Sequence, residues 1–371
     1  ITDKDSYDRL NLSTFMGVDV NSWLTTQLDL KYGNSKQKKV EAGGRNTVWV
    51  AAMNLPSYQN NEDYEENGTV YPAESPATYI RYGDPRRIKR NDLRALGRII
   101  LSPLKGLKIT GEYTYNRTTE QNKFYKNKYQ YIGMNFTGVL NSTENSSYAV
   151  TSKYTDYNAV NLFANYDMTF GKHDISVMGG YNQESSHTES QYSYRTDVVV
   201  GSLPSLSLST GTPITNDAFE EFAIRGLFYR VNYSYAGKYL LEANGRYDGT
   251  SRFPKNSRFG FFPSFSAGWR ISEENFMKTT NEWLSNLKLR ASWGSIGNQV
   301  ILKSDNTPDN YPYIPDMNVY LSNWLVDGQK VTTLGAPAMV SSSFGWEKVY
   351  TLDFGFDLDL FNNKLNTTFD W

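Results

Sequence analysis

Two histidines, no cysteine and a scatter of carboxylates limit the chemistry this chain of 371 residues can perform. His173 and His187 lie in different segments, so neither a Ser-His-Asp triad nor a zinc site has enough members, and a thiolate nucleophile is excluded outright. Asp353-Phe354-Gly355 spells the metal-binding triplet of phosphotransferases, but it sits in an alternating segment with no glycine-rich loop or catalytic-loop partner. Gly294-Ser295-Ile296-Gly297 lacks the Lys-Ser/Thr of a phosphate loop. Asn67-Gly68-Thr69 is a glycosylation acceptor only in a eukaryotic secretory protein. One run has oxygen ligands suited to calcium: Asn60-Asn61-Glu62-Asp63-Tyr64-Glu65-Glu66, in which Glu62, Asp63, Glu65 and Glu66 are the candidates. An acidic run in a loop is more often a solvated face, and no metal site is assigned. Neither an enzyme nor a cofactor is expected.

Charge at alternating positions is the more informative pattern. In YRVNYSYAGKYLLEANGRYDGTSRF (229–253), Leu227, Tyr229, Val231, Tyr233 and Tyr235 alternate with Phe228, Arg230, Asn232 and Ser234. After Ala236-Gly237-Lys238 the same rhythm sets Tyr239, Leu241, Ala243, Gly245 and Tyr247 against Glu242, Asn244, Arg246 and Asp248. Period two is a β-strand with two unlike faces. Arg230, Glu242, Arg246, Asp248, Arg270, Lys288 and Arg290 all fall on the polar face, as side chains lining a wet interior would. The expected role of any one of them is to hold that interior through opposite charges, with contact to a plug or substrate as the functional reading. A second set, Trp49, Tyr58, Tyr71, Tyr79, Tyr311, Tyr313 and Trp324, lies in polar connections where aromatic rings can stack on sugars or peptide side chains.

The period-two template gives about a dozen strands. They begin with Leu10 to Val18 and Leu24 to Tyr32, and continue through Leu93 to Leu101, Leu107 to Tyr115, Val160 to Phe170 and Ile175 to Tyr181. Beyond the quoted hairpin come Phe259 to Ile271, Leu287 to Trp293, Tyr350 to Leu360 and Leu365 to Trp371. Tight turns near 20–22, 103–105, 171–173, 236–238 and 361–364 alternate with long polar connections near 33–90, 117–157, 183–221 and 297–345, so the long connections share one side. Two connections break the rhythm. Residues 250–257 are short for the long side, and 272–286 are long for the short side; the latter read as a short helix capped by Ser272, with Phe276, Trp283 and Leu284 on one side.

The surroundings of the apolar face follow from geometry. A strand of ~10 residues rises ~33 Å and, tilted by ~40°, spans the ~25 Å apolar band of a membrane barrel. No apolar run approaches the ~18 residues of a membrane helix. Aromatic residues make up 15% of the chain and charged residues 21%, with net charge −1, which excludes disorder and a nucleic-acid binder. Tyr235, Tyr239, Tyr247, Phe259 and Trp269 gather near strand ends, as interfacial girdles do. A soluble sandwich or propeller also alternates; inward charge and the asymmetry of the connections favour a transmembrane antiparallel β-barrel. The opening ITDKDSYDRL has no signal-peptide pattern.

Three blocks carry a resemblance. RYDGTSRF (246–253), FFPSFSAGWRIS (261–272) and LKLRASWGSIGN (287–298), in that order, with WEKVYTLDFGFDLDLFNNKLNTTFDW (346–371) behind them, resemble the barrel of SusC/RagA-type TonB-dependent outer-membrane transporters of Bacteroidota. The resemblance is strong over 222–371 and follows only the general hairpin rhythm before that. It implies that residues 1–371 are a partial barrel domain of a plugged barrel of twenty-two strands, an interior piece of a longer polypeptide whose plug, TonB-interaction segment and N-terminal extension lie elsewhere. It implies import of an oligosaccharide or oligopeptide, without chemistry on the cargo. The partners it implies are a SusD-like surface lipoprotein, TonB-ExbB-ExbD, outer-membrane lipid and a dimer of transporter–lipoprotein pairs. The alternative reading is an adhesin or passive ligand-binding barrel. If only twelve strands were present, the edges of the first and last would be unpaired, so further strands are expected to close the cylinder.

Overall fold

A strand whose alternate residues are apolar must present that face to something other than water. In the computed structural model, which describes residues 4–40, 53, 63–133, 138–280, 282–341 and 344–371, the alternating segments form one antiparallel sheet of twelve strands in chain order. These are β1 (Ser6–Asn21), β2 (Leu24–Val40), β5 (Pro85–Leu104), β6 (Leu107–Lys126), β9 (Ser147–Phe170), β10 (His173–Thr196), β11 (Ile214–Tyr235), β12 (Tyr239–Thr250), β13 (Phe259–Arg270), β14 (Leu284–Asn298), β17 (Glu347–Leu360) and β18 (Leu365–Asp370). Three short hairpins stand in the long connections: β3 (Tyr64–Glu66) with β4 (Thr69–Tyr71), β7 (Gln130–Ile132) with β8 (Val139–Asn141), and β15 (Val319–Val326) with β16 (Gln329–Leu334).

Short turns fix the register on one side. Asn21 folds its side chain over the first turn, accepting from the amides of Trp23 and Leu24 at 3.0 and 2.9 Å. Between β11 and β12, Ala236 and Gly237 have φ of 52° and 68°, the double left-handed step that matches the twist of paired strands. Register then follows residue by residue: Leu227 opposes Tyr247, Val231 opposes Ala243 and Tyr235 opposes Tyr239. β1 and β18 are the two ends of the strand order and do not pair with each other.

The strands are longer than alternation indicated. β9 and β10 each run 24 residues, about 80 Å of extended chain or ~60 Å of height at a ~40° tilt, well beyond a ~25 Å apolar band. Much of the polar sequence expected as loops at 33–90, 117–157 and 183–221 is therefore strand standing above that band. The physical reason is that both faces are wet there, so the apolar contrast vanishes while the backbone pairing continues.

A second correction concerns 272–286. The expected helix is two short 3₁₀ turns, Ile271–Glu273 and Asn275–Thr280. Ser272 is not their cap, and its hydroxyl has no hydrogen-bond partner. Phe276 and Trp283 are exposed while Leu284 is buried.

Little of the described chain forms a conventional core. Leu227, Leu241 and Phe261 are 58%, 52% and 45% exposed, and Tyr229, Val231, Tyr239 and Phe265 on the same face are exposed as well. A small packed core does sit above the sheet, where the β2–β5 and β6–β9 connections meet: Ala73, Ile132, Tyr125 and Tyr148 are buried together with Ser75 and Thr78. There the helix Pro76–Tyr82, capped by Ser75, stacks Tyr82 on Tyr129 at 5.2 Å.

Candidate functional site

The polar face is the concave one. A hollow of about 570 Å³ is lined by Asp167, Asp174, Asn232, Glu242, Ser266, Arg290, Asp353 and Asp370, inward side chains of eight different strands that reach one space only if the sheet curves around them. Its floor is acidic, and Lys288 and Arg290 supply its cations. Arg290 ties three strands together, with Nη2 2.9 Å from Asp370 and 3.1 Å from Asp357. Lys288 and Arg270 face each other in register between β13 and β14.

Higher on the same face the charges pair across and along strands. Arg246 grips Asp248 with two bonds of 2.9 Å while its guanidinium lies 5.6 Å from the Phe228 ring. Arg230 Nε donates to Asn244 Oδ1 at 2.8 Å, and Asn244 in turn donates to Glu242. On the first hairpins, Arg98 donates from Nε to Glu112 at 2.5 Å and from Nη1 to Gln27 at 3.0 Å. Asn161 donates to the same Glu112 at 3.4 Å and Asn182 to Asn161 at 2.6 Å, so one polar chain crosses β2, β5, β6, β9 and β10. Such a row keeps a wide interior hydrated and its strands in register.

The RYDGTSRF block builds a lock at the rim. After Asp248 the chain folds inward, burying Thr250, Arg252 and Phe253. Arg252 donates Nε to Asn310 at 2.9 Å and lies 4.4 Å from the Phe222 ring; burial lowers the pKa of its guanidinium. Trp346 closes over Phe253 and Phe262 edge-on, at 5.6 and 5.0 Å, and donates Nε1 to the Arg258 carbonyl at 3.0 Å. The long β14–β17 connection is thus pinned to the short β12–β13 turn.

The convex face is apolar along a belt and aromatic at its lower edge. Phe170, His173, Tyr235, Tyr239 and Trp269 follow one another in ring contact, with centroids 5.0, 4.9, 6.3 and 6.3 Å apart, all stacked except the tilted His173–Tyr235 pair. Glu274, carried back by the 3₁₀ turns, accepts from Tyr239 at 2.6 Å, from Trp269 at 3.2 Å and from Lys238 at 3.2 Å. Those bonds, from Tyr239 first, hold its carboxyl below the usual range. Above the belt the same face turns polar. Tyr115 donates to Asp156 at 2.7 Å, and Tyr154 donates to Glu189. His187 sits between Glu189 at 2.8 Å and Glu221 at 2.6 Å; these carboxylates, Glu189 first, raise its pKa.

The loop residues singled out from sequence do not converge. Trp49, Tyr58 and Glu62 lie outside the described residues. Tyr71 ends β4. Tyr79 is braced by Glu74 at 2.9 Å, and burial, with that bond, pushes its hydroxyl well above the usual range. Tyr311 accepts from the Glu221 amide at 2.8 Å, and Tyr313 donates to the Ser251 carbonyl at 3.3 Å, on a different loop. Trp324 is exposed on β15. Of the acidic run, Asp63 lies 3.9 Å from Arg81, and Glu65 and Glu66 are exposed on β3. Among the described residues no cluster of three metal-ligating side chains occurs. The Arg98–Glu112 pair, Arg252 and Glu274 were not anticipated. The register of the first depends on an irregularity beside the turn, between Leu101 and Leu104, and neither the burial of Arg252 nor the partners of Glu274 had a local signal.

A hollow lined by carboxylates behind an apolar convex wall is the geometry of a membrane barrel, and comparison with known proteins agrees. Residues 5–371 match the family model "TonB dependent receptor-like, beta-barrel". This chain belongs to that family. It is 27% identical over 378 residues to TonB-dependent receptor P39 of Formosa agariphila, covering 98% of this chain and 33% of that protein. To the TonB-dependent receptor SusC of Bacteroides thetaiotaomicron it is 25% identical, covering 94% of this chain and 35% of SusC. The RagAB peptide transporter structure superposes with a TM-score of 0.79 at 19% identity, over 99% of this chain and 40% of that one. The chain thus spans about a third of the curated relatives it matches along nearly its full length. Barrels of this family lie in the outer membrane, which places lipid against the convex belt of this TonB-dependent receptor barrel.

Proposed function

We propose that the chain forms part of the wall of a gated outer-membrane importer for a large nutrient, an oligosaccharide or an oligopeptide. The observation that carries this reading is the hollow shared by eight strands, into which each of them sends a polar or charged side chain, behind an apolar convex face. A lumen that wide leaks unless it is filled, so a plug domain of the same polypeptide occupies it, with Arg270 and Lys288 at the short-turn end facing acidic plug residues. Further strands of the polypeptide pair with the outer edges of β1 and β18 and close the cylinder, because unpaired edges in hydrocarbon cost several kcal/mol per backbone group. The long-connection side faces the exterior. There the exposed β15–β16 hairpin, bearing Leu321, Trp324 and Leu325, offers an apolar surface to a SusD-like lipoprotein that captures cargo. Transporter–lipoprotein pairs associate as dimers, and TonB-ExbB-ExbD supplies the energy by pulling on the plug.

The test is uptake of labelled oligosaccharides and oligopeptides by cells carrying the full-length protein. Import reduced to background by a protonophore and by loss of TonB supports the reading. Binding that persists at the surface with no energy-dependent uptake contradicts it.

A further inference from the structure

Above the lipid-facing belt, the convex surface carries two guanidinium groups that no carboxylate answers. Arg225 of β11 stands in register with Gln183 of β10 and Gly249 of β12, and Gly249 with Phe259 of β13. The next row toward the membrane is Tyr181, Leu227, Tyr247 and Phe261, all apolar or aromatic. The next row away from it begins Ser185 and Ala223, joined by Ser251, whose hydroxyl accepts from the Ala223 amide at 2.9 Å. Arg225 therefore marks the step at which outward side chains change from hydrocarbon to water.

The row is built to hold a cation flat against the wall. Gly249 has no Cβ, and the Phe259 ring takes its place: an added Cβ would lie 2.3 Å from the ring. The Arg225 guanidinium rests 5.3 Å from the centre of that ring. Beside it opens a hollow of about 290 Å³ lined by Arg225, Arg258, Gln183, Thr250 and Ser251. The acids nearest in sequence are engaged elsewhere, Glu220 with Lys303 and Glu221 with His187. Arg258 makes one long bond, 3.4 Å, from Nε to the Phe253 carbonyl. Among the described residues neither arginine forms an ion pair.

We propose that this hollow binds the phosphate of a phosphorylated glycolipid headgroup in the outer leaflet, with the acyl chains lying on the apolar rows below. The planar fork of arginine matches two phosphate oxygens at once, and the hydroxyl and amide of Ser251 and Gln183 suit the sugar. The leaflet assignment rests on the reading that the long-connection side is the cell exterior.

Native mass spectrometry of the full-length protein in detergent micelles tests the site, using as probes lipid A, its fully dephosphorylated form, and inorganic phosphate. Phosphorylated lipid A is expected to be retained, with Arg225→Gln weakening it at least tenfold and Arg225→Lys less so, whereas Arg117→Gln, on β6 with its guanidinium 3.8 Å from Asp156 of β9, does not weaken it at all. Arg225 is exposed, so its variants keep the barrel intact. Equal retention of both forms of lipid A, or no effect of Arg225→Gln, overturns the site. Inorganic phosphate binding as tightly as the lipid overturns the lipid assignment. Because the chain has no cysteine, labelling of Ser251→Cys on intact cells by an impermeant maleimide reads orientation separately. Failure there, with binding intact in micelles, overturns the leaflet and leaves the phosphate site standing.

Discussion

Placing an arginine at position 231 measures what the convex face touches. Val231 is the third of five outward residues on β11, between Leu227 and Tyr235, and stands in register with Val177 and Ala243. Four residues at ~3.3 Å each, tilted by ~40°, put it about 10 Å from either end of the run. At that depth a lipid-facing arginine costs about 2–4 kcal/mol, a shift of roughly 30- to 1,000-fold in the folding equilibrium. Asn232, the very next residue, points to the opposite side and stands in register with Glu242 and Ser176. Arginine there meets water and a carboxylate, and the change is within ~1 kcal/mol. The assay is reversible urea unfolding of the full-length protein in lipid vesicles, followed by tryptophan fluorescence. A loss at 231 and near-neutrality at 232 are the expected result. Equal losses at both positions, or a larger one at 232, would refute the assignment of faces.

Two pH effects follow from the outer and inner edges. Because the His187 pKa is raised, its contribution is fully present below ~6.5 and is lost as pH rises through the higher folded value; amide exchange near residues 187 and 221, corrected for intrinsic rate, should quicken across that interval and lose the dependence in His187→Gln. Because the Glu274 carboxyl is held low, its contribution is present above ~4.3 and is lost as pH falls through the lower folded value; Trp269 emission should shift there, and Glu274→Gln should abolish the shift. A Trp269 shift that persists in Glu274→Gln with the wild-type pH dependence would show that the carboxylate does not brace the girdle.

How much of this was legible in the sequence depends on contrast between faces. From Leu227 to Trp269 each strand carries apolar residues on one side and Arg, Glu or Asn on the other, and register followed from the turns. The Arg98–Glu112 pair was not within reach by the same logic: the turn at residues 105–106 pairs Leu104 with Leu107, and an irregularity between Leu101 and Leu104 shifts the register by one residue to set Leu101 against Ile109 and Arg98 against Glu112. Above the belt, Gln183 to Thr196 are mostly polar on both faces, so alternation is silent there and the pattern alone points to loops. The Ser272-Glu273-Glu274 signal for a helix start was genuine locally, but the three partners of Glu274 on β12, β13 and the turn between β11 and β12 outweighed it. Burial of Arg252 depends on Asn310, Phe222 and a loop closing from far along the chain, and no local pattern encodes that.

A nitroxide scan across the β11 strand of the full-length protein in vesicles tests the central claim most directly. Single cysteines at 227 through 233 are spin-labelled and their relaxation is read with oxygen, which concentrates in lipid, and with a water-soluble nickel chelate. The account predicts oxygen contact maximal at 227, 229, 231 and 233 and chelate contact maximal at 228, 230 and 232. The opposite phase, or no alternation at all, would contradict it.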